Sequence, residues 1–132
     1  MTNYLDAYAA YLDSIGRTYH TRNGFSVYFA LANTDCAWIE VRERDGGMWI
    51  WDYFGMCYSG VRAANRLCKE YQSRYSQYHV WTEKYTGIEI GVEEKFPFIS
   101  PEDVHQHVTA LAAAVDDGIP IGKEMLGDCF ER

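Results

Sequence analysis

The chain has 132 residues and carries 19 acidic against 12 basic side chains, a net charge of −7. That length makes one domain able to bury roughly two-thirds of the surface its unfolded form exposes, so a core forms without staples. No apolar run approaches the ~18 residues of a membrane span, and the acidic balance lacks the basic stripe of a nucleic-acid binder. Neither a membrane nor a nucleic acid is expected as a partner.

The opening residues, MTNYLDAYAAYLD, lack the basic region and apolar stretch of a secretory signal, which points to the cytoplasm. Tyr4/Leu5, Tyr8, Tyr11/Leu12 and Ile15 recur every three to four residues, one stripe of an amphipathic helix over 3–15. Thr2 or Asn3 can cap its start and Gly16 suits its end. Asn23-Gly24 signals a hairpin turn, and beyond it Phe25, Val27, Phe29 and Leu31 alternate with polar or small residues as a strand does. A short partner strand is expected around 18–22.

The next segment, Cys36–Phe54, is the most distinctive. Strand side chains point to opposite faces with period 2. Ala37, Ile39, Val41, Met48, Ile50 and Phe54 therefore share one aliphatic face, interrupted by Asp52. Trp38, Glu40, Arg42, Trp49, Trp51 and Tyr53 share the other. A two-residue loop at Asp45-Gly46 or at Gly46-Gly47 keeps that division. The first face can bury itself under a helix. The second is too polar for a core and too aromatic for an ordinary surface, and Arg42 can stack on the rings opposite it.

Ser59 is a candidate cap for a helix reaching about Tyr75, with Val61, Ala64, Leu67/Cys68 and Tyr71 inward and Arg62, Arg66, Lys69 and Arg74 outward. Strands follow over 78–83 and from Ile88 towards Phe96, joined by a turn at Tyr85-Thr86-Gly87. Ser100-Pro101-Glu102-Asp103 opens a last helix, with Val104, Val108, Leu111 and Val115 inward. Gly118 and Pro120 predict its end, leaving a short C-terminal extension over about 119–132 with one turn around 123–126.

These elements give an α+β fold in a single domain over 1–132. The expectation is an antiparallel sheet of about five strands in the order α-β-β-β-α-β-β-α, with helices packed on one face. Cys36, Cys57, Cys68 and Cys129 are widely spaced, with no C-x-x-C, and read as free thiols.

Catalytic signatures are missing, with no nucleophile elbow, phosphate loop or Cys–His spacing. His105 and His107 stand two apart on a helix and point about 200° away from each other, so they cannot share a metal ion. No metal and no cofactor is expected, and the chain reads as non-enzymatic. Residues 83–132 carry the whole excess negative charge, eleven acidic against four basic side chains. Within them Glu89, Glu93 and Glu94 form an acidic cluster, which reads either as a solvated, edge-protecting charge row or as an acidic surface. The aromatic face Trp38, Arg42, Trp49, Trp51 and Tyr53 reads either as a protein contact, self-association included, or as rings covered by the chain's own termini.

In element order from the first helix to Asp117, and most closely over Asn65–Asp117, the chain resembles the type III secretion chaperone-like fold, including its bacterial YbjN-type branch. NRLCKEYQSRYSQYHVWTEKYTGIEIGVEEKFPF is similar to that branch's helix, aromatic strand, turn and acidic-aliphatic strand, and ISPEDVHQHVTALAAAVDD to its closing helix. The resemblance covers about 115 residues by element order and rests on no invariant motif. It implies a small, acidic, non-catalytic, often dimeric cytoplasmic protein that holds a protein client. The competing expectation is a small acidic inhibitor, such as a phage anti-defence protein, whose Glu89, Glu93 and Glu94 imitate nucleic acid on a basic target.

Overall fold

A computed structural model describes residues 3–132; the candidate cap Thr2 lies outside them. Helix α1 spans Tyr4–Ser14 and is capped by Asn3, whose Oδ1 accepts from the Leu5 and Asp6 amides at 3.0 and 3.2 Å. Strands β1 (Tyr19–His20), β2 (Phe25–Phe29), β3 (Ala37–Arg44) and β4 (Gly47–Cys57) follow, then α2 (Val61–Arg74), β5 (His79–Lys84), β6 (Ile88–Pro97), α3 (Pro101–Leu126) and β7 (Phe130–Glu131). The antiparallel sheet runs β1-β2-β3-β4-β6-β5, with β7 added beside the end of β4. The element order is the expected one. Among the described residues the sheet has seven strands rather than about five, the two-residue strands β1 and β7 making the difference.

Arg44 pairs with Gly47, so the β3–β4 loop is Asp45-Gly46, with φ of +55° and +78°. Both loop residues of such a tight turn need the left-handed region, which Asp-Gly supplies. This register sends Val41 opposite Ile50 on one face and Arg42 opposite Trp49 on the other. Phe25, Val27, Ile39, Ile50, Phe54, Ile90 and Val92 supply the sheet's share of one core, and Tyr8, Leu12, Leu67, Tyr71, Val108, Leu111 and Val115 supply the helices' share. Tyr8 stacks on Phe25 and Tyr71 on Phe54, so α1 and α2 lie on the face that α3 also covers.

Two helix boundaries depart from expectation. Helix α2 starts after Gly60 with no side-chain cap, so Ser59 does not cap it, and Val61 is 61% exposed while Ala63 takes its place inside. Helix α3 does not stop at Gly118; it continues through Pro120 to Leu126. Proline removes the hydrogen bond to the carbonyl four residues earlier. Here that carbonyl, Asp116 O, accepts from Asn33 Nδ2 at 3.4 Å instead. The Asp116 carboxylate is buried and takes the Asn33 amide at 3.0 Å and Nδ2 at 2.9 Å. Gly118 and Gly122 are packing notches, since an added Cβ would sit 2.5 Å from the Phe54 ring and 2.4 Å from that of Phe130. The proposed extension is thus the last turns of α3 and a strand closing the core.

Candidate functional site: an open aromatic sheet face

The face opposite the helices gathers side chains from five strands. One row crosses the sheet from Ser26 through Glu40, Trp51 and Glu93 to His79, each opposite the next. Beside it Arg42 faces Trp49, which faces Lys95. On the other side Tyr53 and Trp81 flank Gly91, while Trp38 lies opposite Tyr28. All five residues expected on the aromatic face are there, and none belongs to the buried core.

Their contacts run among themselves. Trp49 and Trp51 pack with ring centroids 4.4 Å apart. The Arg42 guanidinium lies 5.1 Å from the Trp51 ring centre, while Arg44 and Lys95 stand 4.9 and 5.5 Å from that of Trp49. Arg42 also donates to Glu40 at 3.0 Å and packs over Gly24, where a Cβ would collide with it. Trp49 Nε1 donates to Glu93 Oε1 at 2.7 Å, and Glu93 Oε2 meets His79 Nδ1 at 2.7 Å. Tyr53 and Tyr85 both donate to Glu83, at 3.1 and 2.7 Å, which holds the Glu83 carboxyl below its ordinary range. Burial first and that same bond second push the Tyr53 phenol up. The face is a preassembled lattice of rings and charges. Neither terminus covers it among the described residues: α1 packs on the opposite face, and β7 extends the sheet beside β4.

Two members escaped the sequence reading. Trp81 joins because Gly91, opposite it, leaves room for the indole to lie flat; a Cβ there would be 2.5 Å from the ring. Tyr53 meets that ring at 5.6 Å, edge on. His20 packs against Trp38 at 4.5 Å. The alternation His79, Trp81, Glu83, with a glycine inside the neighbouring strand, carried the signal for the first.

The acidic cluster does not form one surface. Glu89 and Glu93 share the aromatic face, whereas Glu94 pairs with Ile50 on the helix side and meets His107 Nδ1 at 2.9 Å. His105 turns towards α1, its Nδ1 2.7 Å from the Tyr8 hydroxyl, and burial first, then Arg17, lowers its pKa. The two histidines thus diverge, and among the described residues no group of three or more ligand-type side chains converges as a metal site. The four cysteines are free thiols. Among the described residues no helix is long and apolar enough to cross a membrane.

No family model and no curated protein sequence matches the chain. Among solved structures, YbjN from E. coli, described as a candidate transcription regulator, is similar with a TM-score of 0.68. The match covers 87% of each chain at 10% sequence identity. The fold is YbjN-type. At that identity the likeness is one of architecture, and the aromatic face is described from this chain's own residues.

Proposed function

We propose that the protein is a non-catalytic, chaperone-like binding module or adaptor of the cytoplasm. It acts as a homodimer and contacts a protein partner through the aromatic face. One observation carries the reading: Trp38, Trp49, Trp51, Trp81 and Tyr53 stand half-buried on a sheet face that, among the described residues, no helix covers. Large rigid rings beside arginine are the side chains that dominate protein interface energetics. Their geometry is already fixed by stacking and by Glu93 and Glu83, so little side-chain entropy is lost on contact. Base stacking is the less favoured use, because Arg42, Arg44 and Lys95 are matched by Glu40, Glu83, Glu89 and Glu93 around the rings. An adaptor role is compatible with YbjN's description as a candidate regulator. Glu94's place on the helix side removes the continuous acidic patch that nucleic-acid mimicry would use.

The test replaces Trp49 and Trp51 together with Ser. Sedimentation velocity is expected to show a weakened dimer, and capture of the partner from the native source to fall, with the melting temperature shifted by only a few degrees. A monomeric wild type with unchanged capture in the variant would refute the reading.

A further inference from the structure

The strongest feature outside that face is a groove of about 800 Å³ between α2 and the edge strand β5. Val61, Cys68 and Val80 contribute its apolar lining, and Arg62, Arg66 and Lys69 its charge. The α2 residues that line it recur at three- and four-residue steps over three turns, so the groove runs along the helix axis.

Its charge is anomalous for this chain. Arg62, Arg66 and Lys69 are exposed and make no salt bridge among the described residues, in a molecule of net charge −7. The one acidic residue of α2, Glu70, is engaged by Arg74. The thiol of Cys68 is pushed up to about 11, first by burial, so it stays protonated and serves as lining rather than as a nucleophile. Beside the groove, β5 pairs among the described residues with β6 alone, which leaves its outer backbone edge open. An open edge strand is a template for another extended chain.

We propose that this groove takes an extended acidic peptide, which adds as a strand to the open edge of β5 and sets its carboxylates against Arg62, Arg66 and Lys69. The spacings agree. Same-face side chains of a strand repeat every ~6.8 Å, and Arg62 to Arg66 is about 6 Å along a helix. Every second side chain of the added strand would face the helix ridge, where carboxylates meet Arg62, Arg66 and Lys69, and the apolar ones between would turn to the other sheet face, beside His79 and Trp81. A second copy of this chain fits poorly, because two-fold pairing of β5 with itself would bring two cationic α2 helices together. Nucleic acid would satisfy the cations and leave the strand edge unused. The site is separate from the aromatic face: β5 sends His79, Trp81 and Glu83 to that face and Val80 to this one.

The test uses fluorescence anisotropy with a labelled, capped ten-residue peptide of alternating Glu and Val. Four comparisons run beside it: the Lys/Val counterpart, the Glu/Val peptide N-methylated at alternate residues, a ten-nucleotide oligothymidylate, and the Arg62→Ser/Arg66→Ser double variant. The expected result is saturable Glu/Val binding that falls at least tenfold in each of the four, with amide exchange slowed over 79–84. Both arginines are exposed, so the variant should melt with the wild type. Absence of Glu/Val binding, undiminished binding by the double variant or the methylated peptide, or oligothymidylate binding of equal strength would each overturn the proposal.

Discussion

The two faces of this sheet use aromatic residues for opposite ends. On the helix side, Phe54 and Tyr71 are fully buried, stacked at 4.7 Å, with the Tyr71 hydroxyl donating to Ala114 O at 2.6 Å. On the open side, Trp49 and Trp51 stack at 4.4 Å yet keep solvent on one flank and gather Arg42, Arg44 and Lys95 around them. Ring-to-ring distance does not separate the two arrangements. What lies above the rings does: a helix takes the hydrophobic free energy of the first pair, while the second pair still holds much of its own in reserve. Stability therefore rests on one face, and the proposed binding on the other.

The contrast is tested hardest by Phe54→Ala. Phe54 fills the notch left by Gly118 and touches Tyr71 and Phe130. Removing a fully buried ring costs about 3–5 kcal/mol, because lost transfer energy and a residual cavity add. Urea titration of the two proteins measures it, and a loss below about 1.5 kcal/mol would mean that the helix layer can collapse into the gap.

Asp52 offers a second break, since it places a carboxylate on the apolar face. It lies opposite Val92, its Oδ2 is sealed from solvent without a hydrogen bond, and burial pushes its pKa up to about 7. The Tyr53 backbone and Arg132 lower it, and Glu40 and Glu89 raise it. Unfolded, the group titrates near 3.9. The native state therefore holds the proton more tightly, so this group's contribution to stability is fullest below about pH 4 and is lost as pH rises through about 7. Asp52→Asn removes that loss: the variant is expected to match the wild type at pH 4 and exceed it by roughly 2–4 kcal/mol at pH 8. Parallel profiles for the two proteins would show the carboxylate to be solvated in the native state.

The division of faces was legible from Cys36–Phe54 because period-2 alternation survives either two-residue loop, Asp45-Gly46 or Gly46-Gly47; the choice of the first was not legible. The helix ends were less legible, for a definite reason. Gly118 and Pro120 look like stop signals, and local chemistry alone supports that reading. Tertiary contacts reverse it: Asn33, more than eighty residues away, takes the carbonyl that Pro120 strands, and Phe54 needs the space Gly118 leaves. Val61 failed in the same way, since its place in the stripe says nothing of how far the sheet extends beneath it. Trp81 was missed because its role depends on the β5–β6 register with Gly91, which one strand read alone cannot show.

The gentlest test acts on the open face. Trp49→Phe keeps a ring beside Trp51 and near the cations of Arg44 and Lys95 while deleting the Nε1 donor to Glu93. On the helix side, loss of a buried donor would strand its acceptor and cost about 1–3 kcal/mol. Here Glu93 retains His79 at 2.7 Å, and its charge has solvent within reach. The expected loss is about 1 kcal/mol or less, read as a change in urea midpoint at constant slope. A loss approaching that of Phe54→Ala would mean that the lattice on the open face is itself a second core, and its rings would then be committed to the fold rather than held for a partner.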